Sequence, residues 1–317
     1  MQRVGSEDCR RERVRIASLV LALLVGAVLP FAQALAAPAT ASDRVRESSK
    51  LTLGYRTDAQ PFSYRDPSGA PAGYSVMLCQ QVADQVKSEL GLPGLAVEWV
   101  PVTLADRFNA LEQGKVDLLC GADSVTLARR KEISFSIPIS PSGIGAILRA
   151  DAPAPLREIL AEGQPLPHPI WRASPARTIL EKKTFSVVAG TNSEAWLTGR
   201  LNEFQLDATI APVGTYEAGI QRVLDGSAAV LFGDRPILFV AAKRSAYAED
   251  LIVLDRLFTY EPLALALARG DEDLRLIVDR TLSRLFRSKE FPDLYAKWFG
   301  KPDDRALTFF RLSALPE

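Results

Sequence analysis

The sequence has 317 residues, of which 47% are hydrophobic and 24% are charged. It is therefore long enough for two globular domains, each with its own core. The 38 basic and 38 acidic residues give a formal net charge of zero, and runs of one sign are missing. This balance argues against nucleic acid or an anionic membrane surface as a partner.

The first 36 residues have the pattern of a signal peptide. Arginines at positions 10, 11, 13 and 15 precede an apolar run that begins at Ile16, and no charged residue follows until after Ser42. Residues 34–36 form a small-x-small cleavage site, so we expect cleavage near Ala36 and a periplasmic location. An uncleaved anchor is the alternative, because the run approaches the roughly 20 residues of a spanning helix; Pro30 and the clustered alanines favour cleavage.

Three cysteines occur, and Cys9 would leave with the signal peptide. In an oxidising compartment the remaining pair, Cys79 and Cys120, suggests one disulfide. Two separate buried thiols are the alternative, since both cysteines lie among apolar residues. Two cysteines and the single histidine, His168, do not make a metal site, and we expect no cofactor.

The first part of the chain alternates between strands and helices. After a polar linker (residues 37–49), strands are predicted at 51–55, 97–102 and 116–120. Apolar spacing predicts a helix over 76–90, and Thr103 is a natural N-cap for a second helix that ends at Gly114. This order predicts a parallel sheet covered by helices.

A second set of elements begins with a strand at 185–189, which runs into a helix opened by residues 190–194. Another strand, 228–232, ends at Asp234. The proline-rich stretch 153–177, which contains His168, is predicted to be a surface insertion. The last elements are a strand at 263–268 and helices at 274–286 and 291–299. We predict two α/β units, whose ligands bind beyond the carboxyl ends of strands.

Polar and charged residues follow these strands or begin the helices. They are Arg56, Arg107, Ser124, Arg129, Thr191, Asn192, Ser193 and Asp234. A forked guanidinium and helix N–H groups suit a carboxylate, whereas a desolvated aspartate suits an ammonium, so the set fits a zwitterion. His168 lies between two prolines and offers no convincing nucleophile pair, and no phosphate loop is present. We therefore expect a binding protein rather than an enzyme.

The stretch from Thr126 to Pro138 resembles the T-x-x-R-x-K-x-x-x-F-S-x-P signature of family 3 solute-binding proteins, the receptors of polar amino-acid ABC importers. Matching pieces occur in the same order at 61–64, 73–75, 114–117, 190–191 and 295–299. The resemblance implies that Arg129 and Ser124 hold the α-carboxylate, that Asp234 takes the α-ammonium, and that residues 191–193 cover the ligand.

Within that family the sequence is most similar to glutamate/aspartate-binding proteins. It shares R-x-x-x-x-P-F-S-Y at 56–64, P-x-T-x-x-x-R at 101–107, and the Cys-Gly pair at 120–121. The resemblance implies that Arg56 and Arg107 bind a side-chain carboxylate of the ligand. Such a second acidic group needs its own donors, because a buried charge without a partner is unfavourable. The sequence departs from that subgroup in four places: Leu104 and Ala122 stand where hydroxyl residues are usual, Asn192 replaces a threonine, and Tyr216 replaces a histidine.

The family topology implies a two-lobed α/β fold of the type II periplasmic kind, with a mixed sheet in each lobe. Lobe 1 would comprise 50–140 and 263–310, lobe 2 would comprise 143–258, and hinge crossings would lie at 139–143 and 258–263. The expected partners are a polar, acidic amino acid such as glutamate or aspartate and an inner-membrane ABC permease; the protein itself should be a monomer. The alternatives are a periplasmic enzyme resembling cyclohexadienyl dehydratase, which would need an added carboxylate in the cleft, and a sensing module for a signalling partner.

Overall fold

The computed structural model describes residues 40–162 and 175–317. The signal peptide predicted at 1–36 and the central part of the predicted insertion, including His168, lie outside the described residues. Within the described ranges, no helix is long and apolar enough to cross a membrane.

The strands and helices predicted from the sequence occur in the predicted order, together with further elements that were not predicted. The strands are β1 (Lys50–Arg56), β2 (Asp58–Ala59), β3 (Ser63–Arg65), β4 (Pro71–Ala72), β5 (Ala96–Val102), β6 (Leu118–Ser124), β7 (Ile133–Phe135), β8 (Ile144–Arg149), β9 (Thr184–Val188), β10 (Thr209–Val213), β11 (Val230–Asp234), β12 (Leu251–Val253) and β13 (Leu263–Ala268). The helices are α1 (Ala41–Ser48), α2 (Tyr74–Glu89), α3 (Arg107–Glu112), α4 (Ala154–Glu162), α5 (Pro175–Leu180), α6 (Asn192–Glu203), α7 (Tyr216–Leu224), α8 (Arg235–Arg244), α9 (Glu272–Arg287), α10 (Phe291–Phe299) and α11 (Asp304–Ser313).

The polar segment before β1 is a helix, so the prediction of a linker over 37–49 is wrong for residues 41–48. Thr40 and Asp43 form a capping box at the start of α1, which satisfies two backbone donors reciprocally. The helix also packs on lobe 1, because Val45 is fully buried and Ser42 donates from both its backbone N and its Oγ to the Asp271 carboxylate at 2.7 Å. Capping and burial together order a stretch that looks polar in sequence.

The first sheet has the order β5-β1-β6-β13-β7. Its β1 strand pairs in parallel with β5 and β6, whereas β13 runs antiparallel to β6 and β7. Helices α2 and α9 bury apolar residues such as Val82 and Val278 against one face, and Leu111 of α3 packs on the other. This sheet with its helices is called lobe 1 below.

A disulfide joins Cys79 on α2 to Cys120 on β6, with the two Cα atoms 6.0 Å apart. The bridge confirms the pairing suggested by the two cysteines and excludes the alternative of separate thiols in this structure. It ties the first long helix to a central strand of lobe 1.

The second sheet has the order β10-β9-β11-β8-β12, and with its helices it is called lobe 2. Strand β9 pairs in parallel with β10 and β11, and β8 runs antiparallel to β11 and β12. Its core contains the edge-to-face pair Phe185 and Phe232, whose geometry is one that aromatic rings prefer. Trp196 of α6 packs on the same cluster.

The stretch 153–177 is not wholly a surface insertion, so that prediction is corrected where the structure describes it. Residues 154–162 form α4, and its Leu156 and Leu160 are buried in the core of lobe 2. A helical spacing of four residues puts both leucines on one face. The proline-rich composition of the stretch made this apolar helix face difficult to recognise in the sequence.

Two segments connect the lobes, residues 136–143 between β7 and β8 and residues 254–262 between β12 and β13. They run side by side, because Glu261 N donates to Ser142 O at 2.8 Å. A Cβ at Gly143 would overlap the carbonyl oxygen of Thr259, so the approach is possible only with glycine there. The first segment is fixed to lobe 1 where Ile137 N donates to the Asp279 carboxylate at 2.7 Å.

Candidate ligand-binding site

The carboxyl ends of the parallel strands of both lobes face one cleft. Arg56 ends β1, Ser124 ends β6 and Asp234 ends β11, which is where open α/β sheets bind ligands. The lobes touch across this cleft, since Arg244 of α8 donates to the Gln60 side chain of lobe 1. The structure is therefore that of the two lobes in contact.

Arg129 opens a single 3₁₀ turn, Arg129–Lys131, just after β6. Its Nη1 donates to the Ser124 carbonyl oxygen at 2.9 Å, and its backbone N donates to Thr126 Oγ1 at 3.2 Å. The guanidinium carbon lies 5.4 Å from the centre of the Phe108 ring. Within residues 40–162 and 175–317, Arg129 forms no ion pair with a protein carboxylate, and burial lowers its pKa.

Asp234, at the end of β11 in lobe 2, is half-buried. Burial raises the pKa of Asp234 to about 6, and the negative charge of Glu261 adds to the rise; the positive charges of Arg129 and Arg56 oppose it. The charge of Arg129 in lobe 1 thus acts on Asp234 in lobe 2, and the charge of Asp234 acts on Arg129. The predicted cation and anion lie near each other across the boundary between the lobes.

Tyr216 begins α7 and is only 3% exposed. Burial, followed by the negative charge of Asp234, raises the pKa of its hydroxyl, while Arg56 of lobe 1 lowers it. Tyr216, which stands where a histidine is usual in the glutamate/aspartate-binding subgroup, thus lies at the junction of the lobes. It adds a neutral hydroxyl there.

Arg56 and Arg107 are both buried, and each is already ion-paired. Arg107 Nε donates to Asp123 Oδ1 at 2.6 Å, and Arg56 lies 2.8 Å from Asp58 Oδ1. The sequence had predicted both arginines to serve a ligand carboxylate. In the structure their charges are balanced by neighbouring protein carboxylates.

Sequence reasoning missed Asp123. It is 2% exposed, and its Oδ2 is buried without a hydrogen-bond partner. The available signal was a charged residue inside an otherwise apolar strand, one position before a predicted site residue. A buried charge of this kind needs a partner, which is Arg107.

Residues 191–193 stand at the start of α6 in lobe 2. Thr191 Oγ1 donates to Val188 O at 2.7 Å and accepts from Glu194 N at 3.4 Å. It is thus an N-cap, the ordinary role of threonine in this position. Ser193 is 1% exposed, whereas Thr191 and Asn192 are half-buried.

Glu261, also missed from the sequence, lies in the second connecting segment and is 7% exposed. Its Oε1 accepts from Thr259 Oγ1 at 2.7 Å, whereas its Oε2 is buried without a partner. The sequence signal that could have identified Glu261 is its position: an acidic residue directly before a proline and a six-residue apolar strand. The cleft thus contains two carboxylates beyond those predicted.

Comparison with known proteins places this geometry in a family. Residues 51–301 match the family model of bacterial extracellular solute-binding proteins, family 3. The chain belongs to this family. The family predicted from the 126–138 motif is thereby confirmed.

Among curated family 3 proteins, an L-glutamate/L-aspartate-binding protein of Pseudomonas aeruginosa is 26% identical over 291 residues, covering 91% of this chain and 90% of that protein. A glutamate/aspartate import solute-binding protein of Escherichia coli K12 is 25% identical, with coverage of 90% and 88%. Both alignments span nearly the whole of each chain. These relatives are binding proteins.

Solved structures confirm the predicted two-lobed fold. An ancestral amino acid-binding protein, described as a precursor of cyclohexadienyl dehydratase, has a TM-score of 0.64 at 27% identity and covers 81% of this chain and 99% of its own. A mutant of ArgBP from T. maritima has a TM-score of 0.65 at 20% identity, with coverage of 83% and 100%. At that identity the second structure supports the fold alone.

Proposed function

We propose that this family 3 protein captures a polar amino acid in the periplasm and delivers it to an ABC permease in the inner membrane. In this proposal Arg129 and Ser124 hold the α-carboxylate and Asp234 holds the α-ammonium. The protein acts as a monomer, and residues 136–143 and 254–262 are its hinge. The names of the two bacterial relatives support an acidic amino acid as the ligand.

One observation supports the proposal: Arg129 of lobe 1, without an ion-paired carboxylate in the described part of the chain, lies close enough to Asp234 of lobe 2 for each charge to act on the other. Both groups are half-buried, and leaving a partly desolvated cation and anion without close partners is unfavourable. A zwitterion supplies both missing charges at once. Because the two groups belong to different lobes, the ligand stabilises the closed state through contacts that the open state lacks.

The test is a thermal-shift screen of the mature protein against the common amino acids and small dicarboxylates, followed by calorimetry on the hits. A ligand that binds only the folded form raises the melting temperature. We expect L-glutamate or L-aspartate among the largest shifts. If no amino acid shifts the melting temperature, the receptor proposal fails.

Enzymatic turnover on the same scaffold is the competing function, since Asp123 and Glu261 are added carboxylates near the cleft. We propose binding without turnover, because each of them has one oxygen fixed by a protein donor: Arg107 holds Asp123 and Thr259 holds Glu261. The relatives described above, all named as binding proteins, support this choice. Incubation with prephenate should yield no product; its conversion would favour the enzyme.

Replacing Asp123 by asparagine is expected to strengthen binding of an acidic amino acid about tenfold. The change removes a buried negative charge but keeps the shape, so Arg107 can serve a ligand carboxylate. Calorimetry with L-glutamate and with L-glutamine would measure the effect, which should be larger for L-glutamate. Asp225→Asn, at an exposed turn, is the control, and an equal gain for both ligands would contradict an arginine-bound side-chain carboxylate.

Ligand affinity should fall at acidic pH. With its pKa raised to about 6 by burial and by Glu261, Asp234 is protonated below that pH and loses its attraction for an ammonium group. Affinity should therefore drop about tenfold between pH 7 and pH 5. Calorimetry across this range tests the sign, with circular dichroism as the check that the protein stays folded; an affinity that rises toward pH 5 would contradict Asp234 as the ammonium partner.

A further inference from the structure

Glu261 lies within a short chain of contacts that leads to Asp234. Asp234 is paired with Ile144 across the β11–β8 ladder. Ile144 N donates to Thr259 Oγ1 at 3.0 Å, and Thr259 Oγ1 donates to Glu261 Oε1 at 2.7 Å. The connecting segment thus brings a carboxylate of the hinge next to the carboxylate that ends β11.

A second set of contacts places Glu261 beside the arginine of lobe 1. Leu263 is opposite Ser124 in the β13–β6 ladder, and Val125 N donates to Pro262 O at 2.9 Å. Arg129 is bound to the carbonyl of the same Ser124. Residue 261 therefore lies on the floor of the cleft, between the cation of lobe 1 and the anion of lobe 2.

The Glu261 side chain is incomplete without a further donor. It is 7% exposed, and its Oε2 has no hydrogen-bond partner. A buried carboxylate oxygen without a donor is unfavourable, and two carboxylates close together repel each other. Consistent with that repulsion, Glu261 is the strongest of the neighbouring charges that raise the pKa of Asp234.

We propose that Glu261 is a specificity-determining residue, which acts with Asp234 to make lobe closure depend on a cationic group of the ligand. This inference rests on the proposed receptor function. An ammonium offers three donors and one positive charge, so it can serve Asp234 and relieve the repulsion from Glu261 together. An acid of the same shape that lacks the amine leaves two facing carboxylates in the closed cleft and is rejected.

The experiment compares L-glutamate with glutarate, the matching acid without the amine, by calorimetry and thermal shift on wild type and Glu261→Gln. If the screen identifies a different amino acid, that amino acid and its amine-free acid replace the pair. In Glu261→Gln we expect L-glutamate affinity to fall about tenfold and the ratio of the L-glutamate and glutarate affinities to fall by more than that. An equal change for both ligands, or no change in either, would overturn the inference.

Thr259→Val separates charge from hinge structure, because it removes the hydroxyl that holds Oε1 and keeps the Glu261 charge. We expect its ligand preference to stay within about twofold of wild type. A Thr259→Val loss as large as that of Glu261→Gln would assign Glu261 a structural role and refute the proposal. The receptor function is judged separately, since it fails only if no amino acid binds the wild-type protein.

Discussion

Arg129→Ala is expected to weaken amino-acid binding by at least tenfold, and by several hundredfold if the α-carboxylate is fully desolvated. Truncating one member of a buried, hydrogen-bonded charge pair costs about 2–5 kcal/mol, because the partner charge stays buried and unpaired. Asp234→Ala, on the opposite lobe, should have an effect of similar size. Calorimetry with the amino acid found in the screen measures both.

Neither change should unfold the protein. In the described structure Arg129 makes one side-chain hydrogen bond, to a carbonyl oxygen, and Asp234 makes no ion pair. The control is Arg130→Ala, which removes an exposed arginine from the same turn and should leave affinity unchanged. Wild-type affinity in both Arg129→Ala and Asp234→Ala would refute the zwitterion site.

Removal of the Cys79–Cys120 disulfide should lower the free energy of unfolding more than any other substitution described above. The cysteines are 41 positions apart, and in the chain-entropy model closing such a loop stabilises the folded state by about 4 kcal/mol. In a protein of this size that corresponds to a fall in melting temperature of roughly 10 °C. Calorimetry on the Cys79→Ala/Cys120→Ala variant would measure it.

Reduction offers the matched control. Dithiothreitol should lower the melting temperature of the wild type and leave that of the double variant unchanged. Ligand affinity should change little, because the bridge joins α2 to β6 within lobe 1 and neither cysteine belongs to the proposed site. Equal melting temperatures for wild type and variant under oxidising conditions would contradict a stabilising bridge.

The sequence predicted the lobes well because local and global signals agree there. Apolar spacing indicated α2 and α9, and strand patterns indicated β1, β9 and β13. Arg56, Ser124 and Asp234, predicted to follow strands, are the last residues of β1, β6 and β11. The pair of cysteines left in an oxidising compartment suggested the disulfide, and the structure confirmed it.

What the sequence could not predict depends on long-range contacts. Helix α1 looks polar, yet it is ordered by Asp271, which lies 229 positions away from Ser42. The pairing of Arg107 with Asp123 depends on how the start of α3 is positioned against the buried strand β6. The sequence pattern does not give this position. Glu261 is isolated in sequence and acquires neighbours only when the two connecting segments meet.

The contact at Gly143 limits how the lobes can move. Because no side chain separates that residue from the Thr259 carbonyl, the two connecting segments pack with backbone against backbone. One connecting segment cannot slide past the other without breaking the hydrogen bond from Glu261 N to Ser142 O. If the lobes open and close as the proposed function requires, both connecting segments must bend together, and opening is a single coupled motion rather than two independent ones.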